Sequence, residues 1–280
     1  MRRAVLAAAL IVPVTMSAQS RIMTDVDYRP AVEQANKKDM LDIYLPENAR
    51  NAPVIVSFFG GALRAGEKSG EKFVGRLFSA KGFITVVPNY RLSPDVSHPA
   101  HVEDAAAAVA WVRNNIAKYG GDSASIVVIG HSAGAYLAAL LTMDERYLGA
   151  HQMKPSELRG VVPVSAFFYV ERSGVAPDRP KDVWGVDSTK WRAASPASYL
   201  RASGVPPLLL LYADGDDPWR RQQQSDFASA LKQAGGRPVA THMIAGRTHN
   251  TVWSKMASGD EETSKSILDF IATLPRHAQH

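Results

Sequence analysis

The chain is organised around residues 125–142, which read Ser125-Ile-Val-Val-Ile-Gly-His-Ser-Ala-Gly-Ala-Tyr-Leu-Ala-Ala-Leu-Leu-Thr142. Residues 125–129 form a short run rich in β-branched side chains, which predicts a buried strand. Residues 133–142 are rich in helix formers and predict a buried helix. The sequence therefore predicts a strand, a tight turn and a helix in direct succession.

The turn itself reads Gly130-His131-Ser132-Ala133-Gly134, a G-x-S-x-G sequence placed where a nucleophile elbow belongs. Such a turn strains its apex, and side chains two positions before and after the serine would collide. The following helix aims its first amides at the charge that develops during acyl transfer. Because the pattern arises by chance in roughly one chain in ten of this length, a serine that merely caps a helix is the alternative.

Composition is that of an ordinary globular protein: 280 residues, 46% of them hydrophobic and 21% charged. This length suits a single α/β domain, predicted over residues 21–280. The formal net charge is +5, and no dense run of Lys and Arg follows the N-terminal segment, so nucleic-acid binding is not indicated. The chain contains no cysteine, which excludes a disulfide.

Residues 1–20 resemble a secretory signal. Two arginines precede an apolar stretch, 4–14, of secretory rather than membrane-spanning length. Cleavage after Ala18 is imperfect, since Met16 stands where a small residue is preferred. We expect a secreted or periplasmic protein with no stable membrane span; a retained membrane anchor is the alternative.

Hydrophobic patterns elsewhere alternate between strands and helices. Strands are predicted at 25–29, 40–45, 53–59, 83–87, 161–165, 207–213 and 239–244, and helices at 67–80, 101–118, 220–234 and 261–274. This alternation predicts an α/β fold, with a mostly parallel central sheet and helices on both faces. Residues 166–200 show no periodicity and are predicted to be an irregular insertion.

A nucleophilic serine needs a histidine base and an acid, which in this type of sheet follow it in the order acid, then histidine. Of eight histidines, His249 alone lies in a glycine-containing loop after the last predicted strand. Three candidate acids, Asp214, Asp216 and Asp217, follow strand 207–213. We assign Asp216, with Asp217 as the second choice. A calcium loop is a further interpretation of this cluster, but it lacks EF-hand spacing.

Backbone amides are expected to meet the oxyanion. One is the amide of Ala133, which follows the nucleophile. The other is expected from the turn after strand 53–59, Phe59-Gly60-Gly61-Ala62-Leu63. The alternative for these glycines is a loop that simply needs flexibility.

Together these residues resemble the α/β-hydrolase superfamily, and within it the carboxylesterases of the hormone-sensitive-lipase and feruloyl-esterase type. The resemblance runs from about residue 40 to residue 273 and includes, besides the elbow, the motifs Asn89-Tyr90-Arg91-Leu92-Ser93-Pro94, Val102-Glu103-Asp104-Ala105, Tyr119-Gly120-Gly121-Asp122 and Ala194-Ser195-Pro196. It implies a triad of Ser132, Asp216 and His249. It also implies oxyanion amides on Gly61, Ala62 and Ala133, with no cofactor and no metal.

The chain departs from that family in two places. Where the family reads His-Gly-Gly-Gly-Trp, this chain reads Phe59 to Leu63, with Ala62 in place of a glycine. Residues 21–40 are too short for the N-terminal cap of the lipase-like members, so we expect no large cap domain and an open site. We expect the aromatic residues of the insertion to form substrate walls, with ordinary packing as the alternative: Phe167, Phe168, Tyr169, Trp184 and Trp191.

The sequence thus favours a serine carboxylesterase that acts on small or exposed acyl esters through an acyl-enzyme. The expected partner is a small-molecule ester, and acyl groups on a polysaccharide are one candidate. A kynurenine-formamidase-like arylformamidase and a non-catalytic binding member of the fold are the alternatives. The sequence does not specify an oligomeric state.

Overall fold

The computed structural model describes residues 21–29, 37–172, 179–237, 239–259 and 262–275. The predicted signal at 1–20 therefore lies outside the described residues, as does the C-terminal tail from residue 276. Within the described ranges, no helix is long and apolar enough to cross a membrane.

One sheet of eight strands forms the centre of the described chain, in the order β1-β2-β4-β3-β5-β6-β7-β8. The strands are β1 Ile22–Asp27, β2 Met40–Tyr44, β3 Ala52–Phe58, β4 Ile84–Pro88, β5 Gly121–His131, β6 Gly160–Val164, β7 Leu209–Gly215 and β8 Ala240–Thr248. Strands β3 to β8 are parallel, and β2 pairs antiparallel with β1 and β4. The predicted, mostly parallel sheet is confirmed.

Helices cover both faces of this sheet, as predicted. They are α1 Lys72–Ala80, α2 Ala100–Asn115, α3 Ala133–Met143, α4 Glu145–Gly149, α5 Arg179–Trp184, α6 Pro218–Gln233, α7 Thr251–Ser254 and α8 Glu262–Thr273. Successive side chains of a strand point to opposite faces. Val128 accordingly packs in the core with α2 and α3, whereas its neighbour Val127 packs in the other core with α1 and α8.

Helix α3 is buried along its whole length because it lies directly against the middle of the sheet. A Cβ on Gly134 would stand 2.0 Å from the carbonyl oxygen of Phe58 at the end of β3. A Cβ on Gly130 would stand 2.6 Å from the backbone of Gly134. Both glycines of the elbow are therefore required by close backbone approach, and they hold Ser132 at the carboxyl edge of the sheet.

The structure differs from the sequence prediction at several elements. Strand β1 spans 22–27 rather than 25–29, and the short helices α4 and α7 were not predicted. Strand β5 begins at Gly121 rather than residue 125, because the backbone of Gly121 pairs with Ala52 of β3 before the regular pairing starts at Ile126. Strand β8 runs to Thr248, so His249 follows it directly. The insertion 166–200 contains a short helix, α5, and several single turns of 3₁₀ helix. Backbone pairing without an apolar pattern leaves no signal in hydrophobic periodicity.

Replacing Gly134 by alanine is expected to lower the free energy of unfolding by about 3 kcal/mol, because the added methyl overlaps backbone that cannot move away. Thermal unfolding followed by circular dichroism measures this as a fall in Tm of about 6–12 °C. Gly149→Ala is the matched control: a Cβ there would meet no atom within 4 Å, so a change between zero and a small gain is expected. Equal Tm values for the two variants would contradict the close approach of α3.

Candidate active site

The imidazole of His249 lies between the hydroxyl of Ser132 and the carboxylate of Asp216. Its Nε2 is 2.9 Å from Ser132 Oγ, and its Nδ1 is 2.6 Å from Asp216 Oδ1. Ser132 follows β5, Asp216 follows β7 and His249 follows β8. The carboxyl ends of these parallel strands meet at one edge of the sheet. With Nδ1–H donating to Asp216, Nε2 is free to accept the serine proton. The structure thus brings together the three residues predicted from sequence.

The Asp216 carboxylate is held by more than His249. Its second oxygen accepts hydrogen bonds from Ser165 Oγ at 2.6 Å and from the Ala213 amide at 2.9 Å. Burial acts to raise the pKa of Asp216, but the bonds from His249, Ser165 and Ala213 outweigh it and keep that pKa below its usual range. The group therefore stays ionised and keeps Nδ1 of His249 protonated.

The other two candidate acids, Asp214 and Asp217, form no hydrogen bond with His249 in the described structure. Asp214 accepts hydrogen bonds from the amides of Gly246 and Arg247, at 2.8 and 3.0 Å, and so ties the end of β7 to the end of β8. Asp217 is exposed and precedes the first residue of α6. Among the described residues, no group of three or more histidines and carboxylates is placed to hold a metal ion. The calcium-loop interpretation therefore finds no ligand cluster to support it.

Ser132 carries the backbone strain expected of an elbow. Its φ of 53° and ψ of −111° lie where non-glycine residues are rare. Its amide donates to the carbonyl of Val164 on the neighbouring strand at 2.9 Å, which fixes the turn to the sheet. The helix starts at the next residue, so its free N-terminal amides lie beside the serine.

Three backbone amides near Ser132 match the predicted oxyanion donors. In the described part of the chain, no hydrogen bond occupies the amides of Gly61 and Ala62. Ala133, as the first residue of α3, has no acceptor within its own helix. Ala62 lines two cavities beside Ser132, whereas Gly61 lines one of them and Ala133 the other. The structure places these amides beside the nucleophile, and their oxyanion role remains a prediction.

The two cavities that flank Ser132 differ in size and in lining. The larger, here called the cleft, has a volume of about 660 Å³ and is lined by Phe59, Gly60, Gly61, Ala62, Ala65, Gly66, Glu67, Ser69, Gly70, Glu71, His131, Ser132, His249 and Asn250. The smaller, here called the pocket, has a volume of about 30 Å³ and is lined by Ala62, Leu63, Ser132, Ala133, Phe167, Val183, Trp184, Trp219 and Arg220. Of these two cavities, the cleft is the one that His249 lines.

Comparison with known proteins agrees with this geometry. The BD-FAE family model matches residues 41–176. Esterase LipQ of Mycobacterium tuberculosis is 30% identical over 90% of this chain and 62% of its own length. A carbohydrate esterase from gut microbiota, in truncated form, superposes with a TM-score of 0.76 at 22% identity, covering 90% of this chain and 95% of that one. An esterase from the archaeon Pyrobaculum calidifontis superposes with a TM-score of 0.68 at 26% identity, covering 83% and 79%.

The chain has the α/β-hydrolase fold, and its sequence is similar to those of carboxylesterases. The predicted resemblance is confirmed by these matches together with the fold. The chain spans less than two thirds of the length of the first curated relatives it matches, at 62%, 47% and 59%.

The turn predicted to carry the oxyanion amides is braced by the segment 89–94. Phe59, which replaces the family's histidine, stacks on Tyr90 with ring centroids 4.2 Å apart. Tyr90 Oη donates to the carbonyl of Phe59 at 2.8 Å, and the Ser93 amide donates to the carbonyl of Leu63 at 2.8 Å. Contacts with Tyr90 and Ser93 thus hold both ends of the turn.

The aromatic residues of the insertion divide between the two roles considered from sequence. Phe167 and Trp184 line the pocket beside Ser132. Phe168 instead stacks on Phe227 of α6, with centroids 4.0 Å apart, and belongs to the core. Trp191 is partly buried and donates its indole N–H to the carbonyl of Gly185. Periodicity carries no information on which of these rings faces the serine.

Sequence reasoning missed several supporting residues of the site. Ser165, which orients Asp216, follows strand β6, and the rule that located the triad at strand ends would also have found it.

His131 donates from Nε2 to the carbonyl of His249 at 2.7 Å. Burial lowers the pKa of His131 to about 3, so this ring stays neutral. Trp253 stacks on His131, a contact across more than a hundred residues that leaves no sequence signal.

Asp216→Asn is expected to lower kcat by about 10⁴-fold, because the amide favours the wrong tautomer of His249. Asp217→Asn, an equally small change one residue further on, is the control and should alter kcat less than about fivefold, since exposed Asp217 is a surface charge. Steady-state kinetics on an activated ester compares the two. If the position-217 variant proves the more damaged, the acid is misassigned.

Ala62→Gly is expected to raise the free energy of unfolding by about 0.5–1 kcal/mol, because Ala62 has a φ of 57° where glycine is unstrained. Its kcat should stay within about tenfold of wild type, since loss of an oxyanion donor altogether costs about 10²–10³-fold. Ala65→Gly, in the same turn but without a positive φ, is the control and should be destabilising. Proline is unsuitable at position 62, since its fixed negative φ would break the turn.

Proposed function

We propose that this protein is a serine hydrolase of carboxylic esters that works through an acyl-enzyme. The observation that carries the proposal is the hydrogen-bonded series from Ser132 through His249 to Asp216, at 2.9 and 2.6 Å. Relatives named as esterases support it. The free amides beside the serine argue against a non-catalytic binding protein.

In this mechanism His249 Nε2 takes the proton of Ser132 as the hydroxyl attacks the ester carbonyl. The amides of Ala62 and Ala133, with that of Gly61 in reach, stabilise the oxyanion. His249 then gives the proton to the leaving alcohol. A water molecule, deprotonated by the same imidazole, releases the acid from Ser132.

The position of His249 assigns the two cavities to the two halves of the ester. The leaving oxygen must lie within reach of Nε2 to receive its proton. His249 lines the cleft and not the pocket, so the alcohol half occupies the cleft and the acyl half occupies the pocket. A volume of about 30 Å³ is two to three times what one water molecule needs, which suits an acetyl or similarly short acyl group.

The alcohol half is then the larger part of the substrate. Acyl groups carried by a polysaccharide fit this division, because a sugar chain can lie along an open cleft while only the acyl group enters the pocket. The gut carbohydrate esterase of similar fold supports this substrate class by analogy. Such substrates lie outside the cell, and the signal-like residues 1–20 support a secreted or periplasmic location for the enzyme.

Ser132→Ala is expected to abolish hydrolysis, with kcat lower by at least about 10⁴-fold and an unchanged circular dichroism spectrum. The wild-type enzyme is tested on p-nitrophenyl esters of increasing acyl length. We expect kcat/KM to fall by about a hundredfold from acetate to octanoate, since a longer chain must displace the rings of the pocket.

N-formylkynurenine, assayed beside these esters, tests the arylformamidase alternative. Faster turnover of the formamide than of the acetate would favour that activity. A Ser132→Ala variant with turnover within tenfold of wild type would remove Ser132 as the nucleophile. A flat response to acyl length would show that the pocket does not hold the acyl group.

A further inference from the structure

The carboxyl group of Glu71 lies in the wall of the cleft and takes no part in the mechanism above. The residue is only 6% exposed. The indole N–H of Trp253 is shared between its two oxygens, at 3.1 and 3.0 Å. In the described part of the chain, no cation forms a salt bridge with Glu71.

Burying a carboxyl group costs more free energy than is needed to accept one hydrogen bond from the Trp253 indole. Burial raises the pKa of Glu71 to about 7, although the bond from Trp253 acts to lower it. A single indole donor is satisfied by any one carbonyl or hydroxyl oxygen. A carboxyl group offers about four acceptor positions, and when protonated it also donates. Glu71 lines the cleft, and the Trp253 indole N–H leaves acceptor positions on its oxygens unused.

The other residues that line the cleft are mostly small or polar, and Ala62 and Ala65 add methyl groups. Phe59 is its one large apolar side chain, and Gly60, Gly61, Gly66 and Gly70 expose peptide groups. Glu67, Ser69 and Asn250 add polar side chains. The pocket has larger side chains around it, since Leu63, Phe167, Val183, Trp184 and Trp219 line it together with Ser132 and Arg220. The cleft therefore has room for the bulkier half of the ester and offers that half the carboxyl group of Glu71.

We propose that Glu71 binds a hydroxyl group of the alcohol half of the substrate and thereby selects esters of polyhydroxylated alcohols. This inference rests on the proposed function, because it takes the cleft as the place of the leaving alcohol. A carboxyl group pairs with the hydroxyls of a polyol by accepting from one and, when protonated, donating to another. Glu71 is then a specificity-determining residue rather than part of the triad.

Glu71 is also connected to His249 through Trp253 and His131. The test must therefore separate binding of a substrate hydroxyl from positioning of His249. Trp253 stacks on His131 with centroids 5.7 Å apart and planes 16° apart. His131 in turn donates to the carbonyl of His249. Loss of support for Trp253 would slow hydrolysis of every ester by the same factor. Loss of a hydroxyl contact slows only hydroxylated substrates.

The experiment therefore compares two acetates that differ only in hydroxyl groups, glycerol 1-monoacetate and propyl acetate. The measured quantity is the ratio of their kcat/KM values, in which any effect common to both substrates cancels. Glu71→Leu is expected to lower this ratio about tenfold, as for loss of one hydrogen bond to a charged partner. Glu71→Gln keeps an acceptor and a donor and should lower it less, by about threefold. Glu103→Gln makes the same change at an exposed acid of α2 that lines neither cavity, and it should change the ratio less than twofold.

Inhibition gives a second measurement on the same variants. Glycerol should compete with propyl acetate in the wild-type enzyme, and the inhibition constant should rise several-fold in Glu71→Gln, the variant that preserves side-chain shape. If Glu71→Leu does not fold, this comparison still decides the question. An unchanged ratio in the folded variants, with both acetates slowed alike, overturns the inference and leaves Glu71 a positioning residue. Wild-type protein that hydrolyses neither acetate overturns the proposed function and this inference with it.

Discussion

Helix α3 packs so closely on the ends of β3 and β5 that this contact fixes the conformation of Ser132. With a Cβ at Gly134 excluded by the Phe58 carbonyl, the helix begins within one residue of the strand, and Ser132 is forced to a φ of 53°. Strain of this kind costs about 1–3 kcal/mol and persists because the surrounding packing over-determines it. It lifts the hydroxyl clear of the backbone and leaves the first helical amides free beside it.

The parallel sheet places the residues that interact with Ser132 at the same edge. Ser132, Ser165, Asp216 and His249 each follow a different strand, so neighbouring strands deliver a complete hydrogen-bonded series without long loops. Because each position is fixed by strand pairing, the distances between side chains depend on sheet register rather than on loop conformation. A one-residue slip of β7 or β8 would turn its functional side chain away from the edge.

The sequence predicts those site residues that are marked by a local pattern. Ser132 can be identified from its turn motif, and His249 from its place after the last strand. Asp216 can be identified because its spacing after the strand distinguishes it from the two other candidate acids. Glu71, Trp253 and His131 cannot be identified in that way, since their contacts join segments far apart in the chain. The left-handed conformation of Ala62 is equally hidden, because alanine does not indicate a positive φ as glycine does.

The two cavities show how one scaffold separates chemistry from specificity. The pocket is lined by residues of the insertion, by Trp219 and Arg220 of α6, and by Ala62 and Leu63 of the turn that follows β3. The cleft is lined by the same turn, which carries the predicted oxyanion amides, and by the helix start that carries Glu71. Because Ala62 lines both cavities, a change in the conformation of this turn alters both of them. Substitutions of the rings in the insertion would instead alter the pocket alone and would leave Gly61, Ala62 and the supporting Tyr90 in place, so the proposed acyl preference can vary without disturbing the predicted oxyanion donors.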